Sequence, residues 1–188
     1  MPVIEVHLIE GYAPKDKTRL CTALTDATRL VIPAPPEAVT VMVHDHAPAG
    51  YMRGREAKAP ATALPDAAQI VRDFLAAMEA RDLKRAETHL GAGFQMVFPG
   101  TGPMTSLQDL VDWAKPRYRF VKKTYDTFDT LHSAGDETIV YCTGTLYGEW
   151  PDGTPFDGIR FIDRFALVNG LIVRQDVWND IAEVKTAK

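Results

Sequence analysis

The chain has 188 residues, 46% of them apolar, and a formal net charge of −4. That balance leaves no basic footprint for nucleic acid, and no apolar stretch approaches the length of a membrane span. The N-terminus lacks a basic segment followed by an apolar run, so no secretory signal is expected. Cys21 and Cys142 lie far apart and form no disulfide framework, which fits a reduced, cytoplasmic setting.

Residues 3–10 read as a strand ended by Gly11. Pro14 suits the first turn of a helix, where its missing N–H costs nothing. Leu20, Leu24, Ala27 and Val31 then recur at spacings of four, three and four, one apolar helical face. Pro33, Pro35 and Pro36 stop it, and residues 39–44, rich in β-branched side chains, predict a second strand. Strand, helix, strand implies a parallel pair with a right-handed crossover. Two strands and one helix do not close a core, so this part is expected to self-associate or to lean on the rest.

Pro2 directly follows the initiator methionine. Where that methionine is trimmed, the proline nitrogen is a free secondary amine. Burial among Val3, Ile4, Val6 and Leu8 would lower its pKa, because desolvation disfavours the charged form. With Met1 retained the nitrogen is an amide and no base. His44 and His46 are two apart on a strand and share a face, but no third ligand with recognisable spacing accompanies them. No metal site and no cofactor are expected.

The stretch from Pro2 to about Glu56 resembles the 4-oxalocrotonate tautomerase family. The resemblance is carried by Pro2-Val3-Ile4, by Leu8-Ile9-Glu10-Gly11, by Pro35-Pro36-Glu37-Ala38-Val39, and by Tyr51 ahead of Arg53-Gly54-Arg55. It implies a short βαβ unit that pairs and assembles further. It also implies Pro2 as the general base of a keto–enol tautomerisation, or as the group that activates water. Tyr12 and Thr40 stand where many members carry substrate-binding arginines. Tyr51 falls at the family's aromatic wall, and Arg53 and Arg55 lie close enough behind it to replace the lost cations.

Residues 57–65 hold small residues and prolines without periodicity, a linker composition. The expected domains are therefore 1–56 and 66–188. Asp66 is a good N-cap for a helix carrying Ile70, Val71, Phe74, Leu75 and Met78. Asp82 and Ser106 can cap two further helices, with a short strand over 94–98 between them. The period then switches to two. Strands are expected at 120–132, 138–150, 156–168 and 171–178, separated by Ala134-Gly135-Asp136, Asp152-Gly153 and Asn169-Gly170. Asp-Gly and Asn-Gly are strong hairpin signals. Helices first and an antiparallel meander after predict an α+β domain.

Two-residue turns at Asn169-Gly170 and Asp152-Gly153 set the register. Asp163 then faces Asp176 on one side and Cys142 on the other, Phe161 faces Trp178 and Gly144, and Phe165 faces Arg174. Two carboxylates on an apolar face cannot comfortably both ionise, so one becomes a candidate general acid or base. Equally, Arg174 or another cation can neutralise the pair structurally. A slip of one residue would undo the facing.

Residues 66–182 resemble the SnoaL-like group of the nuclear transport factor two-like superfamily. The carrying residues are Glu79-Ala80-Arg81-Asp82, Tyr147-Gly148-Glu149-Trp150, Asp152-Gly153-Thr154-Pro155, Phe161-Ile162-Asp163-Arg164-Phe165, Asn169-Gly170-Leu171-Ile172 and Asp176-Val177-Trp178-Asn179-Asp180. The resemblance implies a cone of three helices on a curved sheet around an apolar pocket. It further implies Asp163 and Asp176 as acid or base, with Trp113, Tyr118 and Trp178 as pocket walls. Two readings of function stay open. In one, the chain is an isomerase or tautomerase moving a proton next to a carbonyl, with Pro2 as base and a second pocket in the SnoaL-like part. In the other, the SnoaL-like part alone is a cyclase, isomerase or hydratase, or a non-enzymatic small-ligand binder, and the first part only mediates assembly. Either way the expected partners are a small molecule and further copies of the chain, with no nucleic acid and no membrane.

Overall fold

The computed structural model describes residues 1–133 and 135–186 and divides into two compact units, Met1–Ala63 and Leu64–Lys188. Ala134, in one of the expected turns, lies outside the described residues. No helix among the described residues is long and apolar enough to cross a membrane.

In the first unit β1 (Val3–Ile9) pairs in parallel with β2 (Thr40–His46), with α1 (Pro14–Arg29) as the crossover. Alternation divides the pair cleanly. Ile4, Val6, Leu8, Val41 and Val43 are half-buried, whereas Val3, Glu5, His7, Met42 and His44 are exposed on the other face. Lys17 of α1 forms an ion pair with Asp45, which places α1 on the half-buried face. A two-residue hairpin of β3 (Met52–Arg53) and β4 (Glu56–Ala57) follows. It turns on Gly54 and Arg55, both at positive φ (62° and 68°), the signature of a type I′ turn. No residue of this unit is fully buried.

The second unit is α+β. Its elements are α2 (Ala67–Glu79), α3 (Leu83–Glu87), β5 (Leu90–Val97), α4 (Leu107–Ala114), β6 (Phe120–His132), β7 (Thr138–Glu149), β8 (Pro155–Val168), β9 (Leu171–Asn179) and α5 (Ile181–Thr186). The curved sheet runs β5-β9-β8-β7-β6, with β5 parallel to β9 and the rest antiparallel. Asp66 caps α2 by accepting from the N–H groups of Ala68 and Gln69, and Ser106 and Asp109 form a capping box on α4. Phe74 of α2 meets Phe94 and Phe165 edge-on, at 6.5 and 6.0 Å, and anchors the helix to the sheet.

The turns decide what the sheet presents inward. Asn169 and Gly170 make the expected two-residue turn, with φ of 51° and 80° and Val168 opposite Leu171. The Asp152-Gly153 connection is instead a three-residue loop. Trp150 N–H donates to Thr154 O at 2.9 Å and Gly153 N–H to Trp150 O at 3.0 Å. A bulge farther along the pair, with Gly158 at φ 72°, takes up the extra residue. Cys142 therefore still faces Asp163, and Gly144 still faces Phe161.

Candidate functional site

The helices and the inner face of the second unit's sheet enclose a cavity of about 140 Å³. That is room for about one aromatic ring. Phe74, Met78, Trp113, Tyr118, Val121 and Phe161 make its wall mostly apolar. Tyr118 itself packs at a tilt against Trp150 and Phe156, at 5.8 and 6.1 Å.

Glu79, Arg81 and Lys122 also line the cavity, and Lys123 is the charged side chain of the wall that reaches a fully buried partner. The Lys123 ammonium lies 4.3 Å from the centre of the Phe161 ring and forms an ion pair with Asp163. The Lys123 side chain is 20% exposed and that of Asp163 is 0% exposed. Gln175 Nε2 also donates to Asp163 Oδ2, at 3.3 Å. The carboxylate thus sits behind the wall, and two cavity-lining side chains reach back to it. Gln175 Oε1 and Asp163 Oδ1 accept no hydrogen bond among the described residues. An unpartnered buried acceptor costs about 1–3 kcal/mol, and Gln175 lines the cavity, so a ligand hydroxyl there would find an acceptor.

Two neighbours are held neutral. Burial, with smaller contributions from Cys142, Asp163 and Glu79, pushes the Tyr125 phenol well above its ordinary value. Burial and then Asp163 push the Cys142 thiol up to about 12. Tyr125 lines the cavity as a hydrogen-bond donor, and Cys142 is a buried thiol without nucleophilic character.

The expected facing of Asp163 and Asp176 does not occur. Val168 pairs with Leu171 and Leu167 with Ile172, but Ala166 pairs with Arg174, so Val173 is an extra residue in β9. Beyond this bulge every β9 side chain changes face. Asp163 faces Val177, and Asp176 faces Arg164. Asp176 sits on the outer face, where Arg174 Nε binds both its oxygens at 2.9 and 2.8 Å and Arg164 approaches to 3.5 Å. Arg174 thus neutralises Asp176, and the other cation, Lys123, neutralises Asp163. Trp178 is 52% exposed and pairs with Ile162, away from the cavity that Trp113 and Tyr118 line. Gln175 and Val177 take the inward positions instead.

A second bulge gives Lys123 its inward position. From His132↔Thr138 to Phe128↔Cys142 the β6–β7 pairing is regular, and continued straight it would put Thr124 opposite Leu146. The bulge at Asp126 puts Tyr125 opposite Gly144 and Lys123 opposite Leu146. Gly144 is needed at that point, since a Cβ there would lie 1.9 Å from Thr124 O and 3.0 Å from the Phe161 ring.

In the first unit Pro2 directly precedes β1 and is half-buried, with its carbonyl accepting from Thr40 N–H at 3.0 Å. Tyr12 and Tyr51 are half-buried, while Arg53 and Arg55 are exposed on the β3–β4 hairpin. Gly11, at φ 135°, closes against Pro60, whose Cγ would lie 2.7 Å from a Cβ there.

Two family models match the chain: a tautomerase enzyme over residues 2–59 and a SnoaL-like domain over residues 71–175. The chain therefore belongs to the SnoaL-like family and carries a tautomerase domain ahead of its SnoaL-like domain. Among solved structures, an NTF2-like protein of unknown function from Burkholderia pseudomallei matches at 18% identity and a TM-score of 0.53, covering 65% of this chain and 97% of that one. An NTF2-like protein from Burkholderia thailandensis matches at 22% identity and 0.51, again over 65% and 97%. A Jannaschia protein provisionally named as a SnoaL-like polyketide cyclase matches at 14% identity and 0.52, over 69% and 96%. These likenesses establish the fold. No curated protein matches the chain. The two domain families together point to isomerase- or cyclase-type catalysis or to ligand binding.

Proposed function

We propose that the chain is an isomerase of the tautomerase type, with a separate binding site in its SnoaL-like domain. In the first domain Pro2, freed by removal of Met1, takes the hydroxyl proton of a small enol. The electron pair collapses to the carbonyl, and the proton is returned to the α-carbon. Tyr12, Tyr51, Arg53 and Arg55 are the groups proposed to bind that substrate. In the second domain the cavity takes a small ring-bearing molecule with an anionic or enolic oxygen. Lys123 is proposed to face that oxygen, with Gln175 and Tyr125 as its hydrogen-bonding neighbours and Trp113 and Tyr118 as the walls. Asp163 acts through Lys123, holding its ammonium in place. An ammonium held in an apolar wall, with little reorganisation left to make, stabilises negative charge on a bound oxygen far better than water does.

The observation that carries this reading is Pro2, half-buried directly ahead of β1 at the start of the tautomerase match; the Lys123–Asp163 pair at the cavity wall marks the separate second site. A second reading has its own support. No residue of the first unit is fully buried, and Val3 and Met42 stand 57% and 37% exposed on its open sheet face. In that reading the first domain serves only to assemble copies of the chain, and the second alone is catalytic or binds the ligand.

Intact mass establishes whether Met1 is removed. Ketonisation of phenylenolpyruvate and of simple 2-hydroxydienoates is then measured for the full chain, Pro2→Ala and Lys123→Met. A loss of about 10²–10⁴-fold confined to Pro2→Ala, the range for a general base, supports the first reading. A loss confined to Lys123→Met supports the second. A retained Met1 contradicts proline catalysis outright.

A further inference from the structure

The exposed face of the β1–β2 pair gathers three of the chain's five histidines. Parallel register sets His7 level with His44 and Ile9 level with His46. The His7 ring stacks near His44 and His46, at centroid separations of 4.8 and 5.0 Å. His7 Nδ1 and His46 Nε2 share a hydrogen bond of 2.8 Å. Glu5, two residues before His7, lies on the same face, and ligand atoms of Glu5, His7 and His44 all lie within 4.8 Å of one another. Asp45 points the other way and is engaged by Lys17, so it belongs to the helix side.

We propose that Glu5, His7 and His44 form a binding site for a first-row divalent cation of the zinc class, with His46 as the residue that orients His7. The donor set decides the class. Imidazole suits zinc, nickel and copper, whereas calcium and magnesium take oxygen ligands. Geometry is near what is needed. Two ligands on one zinc ion lie at most about 4.2 Å apart, twice the bond length, so exposed side chains close the site with small rotations. His46 supplies what metal-bound histidines usually have, a hydrogen bond on the other ring nitrogen that fixes tautomer and orientation. Three protein ligands leave a position open to water or to a group from outside. This site is independent of the proposed turnover and stands or falls separately from it.

The test uses the full chain, stripped with EDTA and exchanged into metal-free buffer. Zn²⁺ is titrated by calorimetry, and Co²⁺ is titrated for its visible absorption, which needs no variant. One equivalent of Zn²⁺ is expected to bind saturably, with a Co²⁺ spectrum of nitrogen and oxygen coordination. His44→Ala should weaken binding by at least about 100-fold, and His46→Ala by about 10-fold, the lower end for an orienting partner. Glu5→Gln, at an exposed position where folding is not at stake, should weaken it as well. Changing His89 and His132, the two histidines elsewhere, should leave it unaltered. Absence of saturable binding at 100-fold excess would overturn the proposal. So would His44→Ala and Glu5→Gln with unchanged affinity, or an equal loss in the His89/His132 variant.

Discussion

The two units of this chain solve the same physical problem to different degrees. The second buries Val71, Phe74, Met96, Val140, Phe165 and Ile172 to 1% exposure or less, while the first buries nothing completely. The difference follows from topology. Five strands with helices over one face enclose a core, whereas two strands and one helix leave a sheet face uncovered. A closed core also allows a costly device. The second unit keeps a carboxylate at 0% exposure because Lys123 and Gln175 converge on it. The chemistry-bearing residues of the first unit all lie at or near the surface.

The three tryptophans, Trp113, Trp150 and Trp178, all lie in the second unit, so their fluorescence follows its unfolding alone. The largest effect expected there is from Lys123→Met. Removing one partner of a buried pair strands the other, and urea denaturation should show a loss of about 3–5 kcal/mol. Phe74→Ala opens a cavity in the core and should cost about 3–5 kcal/mol, read in the same way. Val6→Ala in the half-buried first unit should cost only about 1 kcal/mol, seen as faster amide exchange across β1 and β2. A cost for Val6→Ala as large as that of Phe74→Ala would break the comparison between the units.

Smaller effects sharpen it. The buried Cys142 thiol is pushed up to about 12, so the folded unit holds a proton that the unfolded chain releases above about pH 8.5. Stability from this source is complete below pH 8.5 and falls as pH rises towards 12. Urea midpoints should drop by the equivalent of about 1 kcal/mol between pH 7 and 9.5, and Cys142→Ala should flatten that slope. Ser106→Ala, which removes half of the α4 capping box, should cost about 1 kcal/mol by the same measurement.

Most of the fold was legible because local signals agreed with one another. Asp66, Ser106 and the Asn169-Gly170 turn each did locally what their chemistry favours, and both domain families could be read from short motifs. The candidate site was legible only in part, and the failures share a cause. The bulges at Val173 and Asp126 add one residue each to strands whose side chains alternate with a period of two. One turned Asp176 and Trp178 outward and Gln175 inward; the other turned Lys123 inward. Neither has a glycine or proline to announce it. The partners that stabilise them, such as the close approach of Thr124 O to Gly144, are distant in sequence. The histidine cluster was missed differently. Its third and fourth members, His7 and Glu5, lie more than thirty residues before His44, and only the parallel register brings them level.

The most direct test of Lys123, rather than Arg81 or Lys122 of the same lining, as the cation that holds a bound anion is a binding titration followed by tryptophan fluorescence, with Trp113 in the cavity wall as reporter. Phenylpyruvate would be compared with a neutral aromatic of the same size, in the unaltered chain and in Lys123→Met under conditions where both are folded. The expected result is an affinity for the anion at least about 10-fold weaker in Lys123→Met, a loss of about 1.4 kcal/mol, with the neutral compound bound equally by both. Equal affinity for the anion in the two proteins would contradict it.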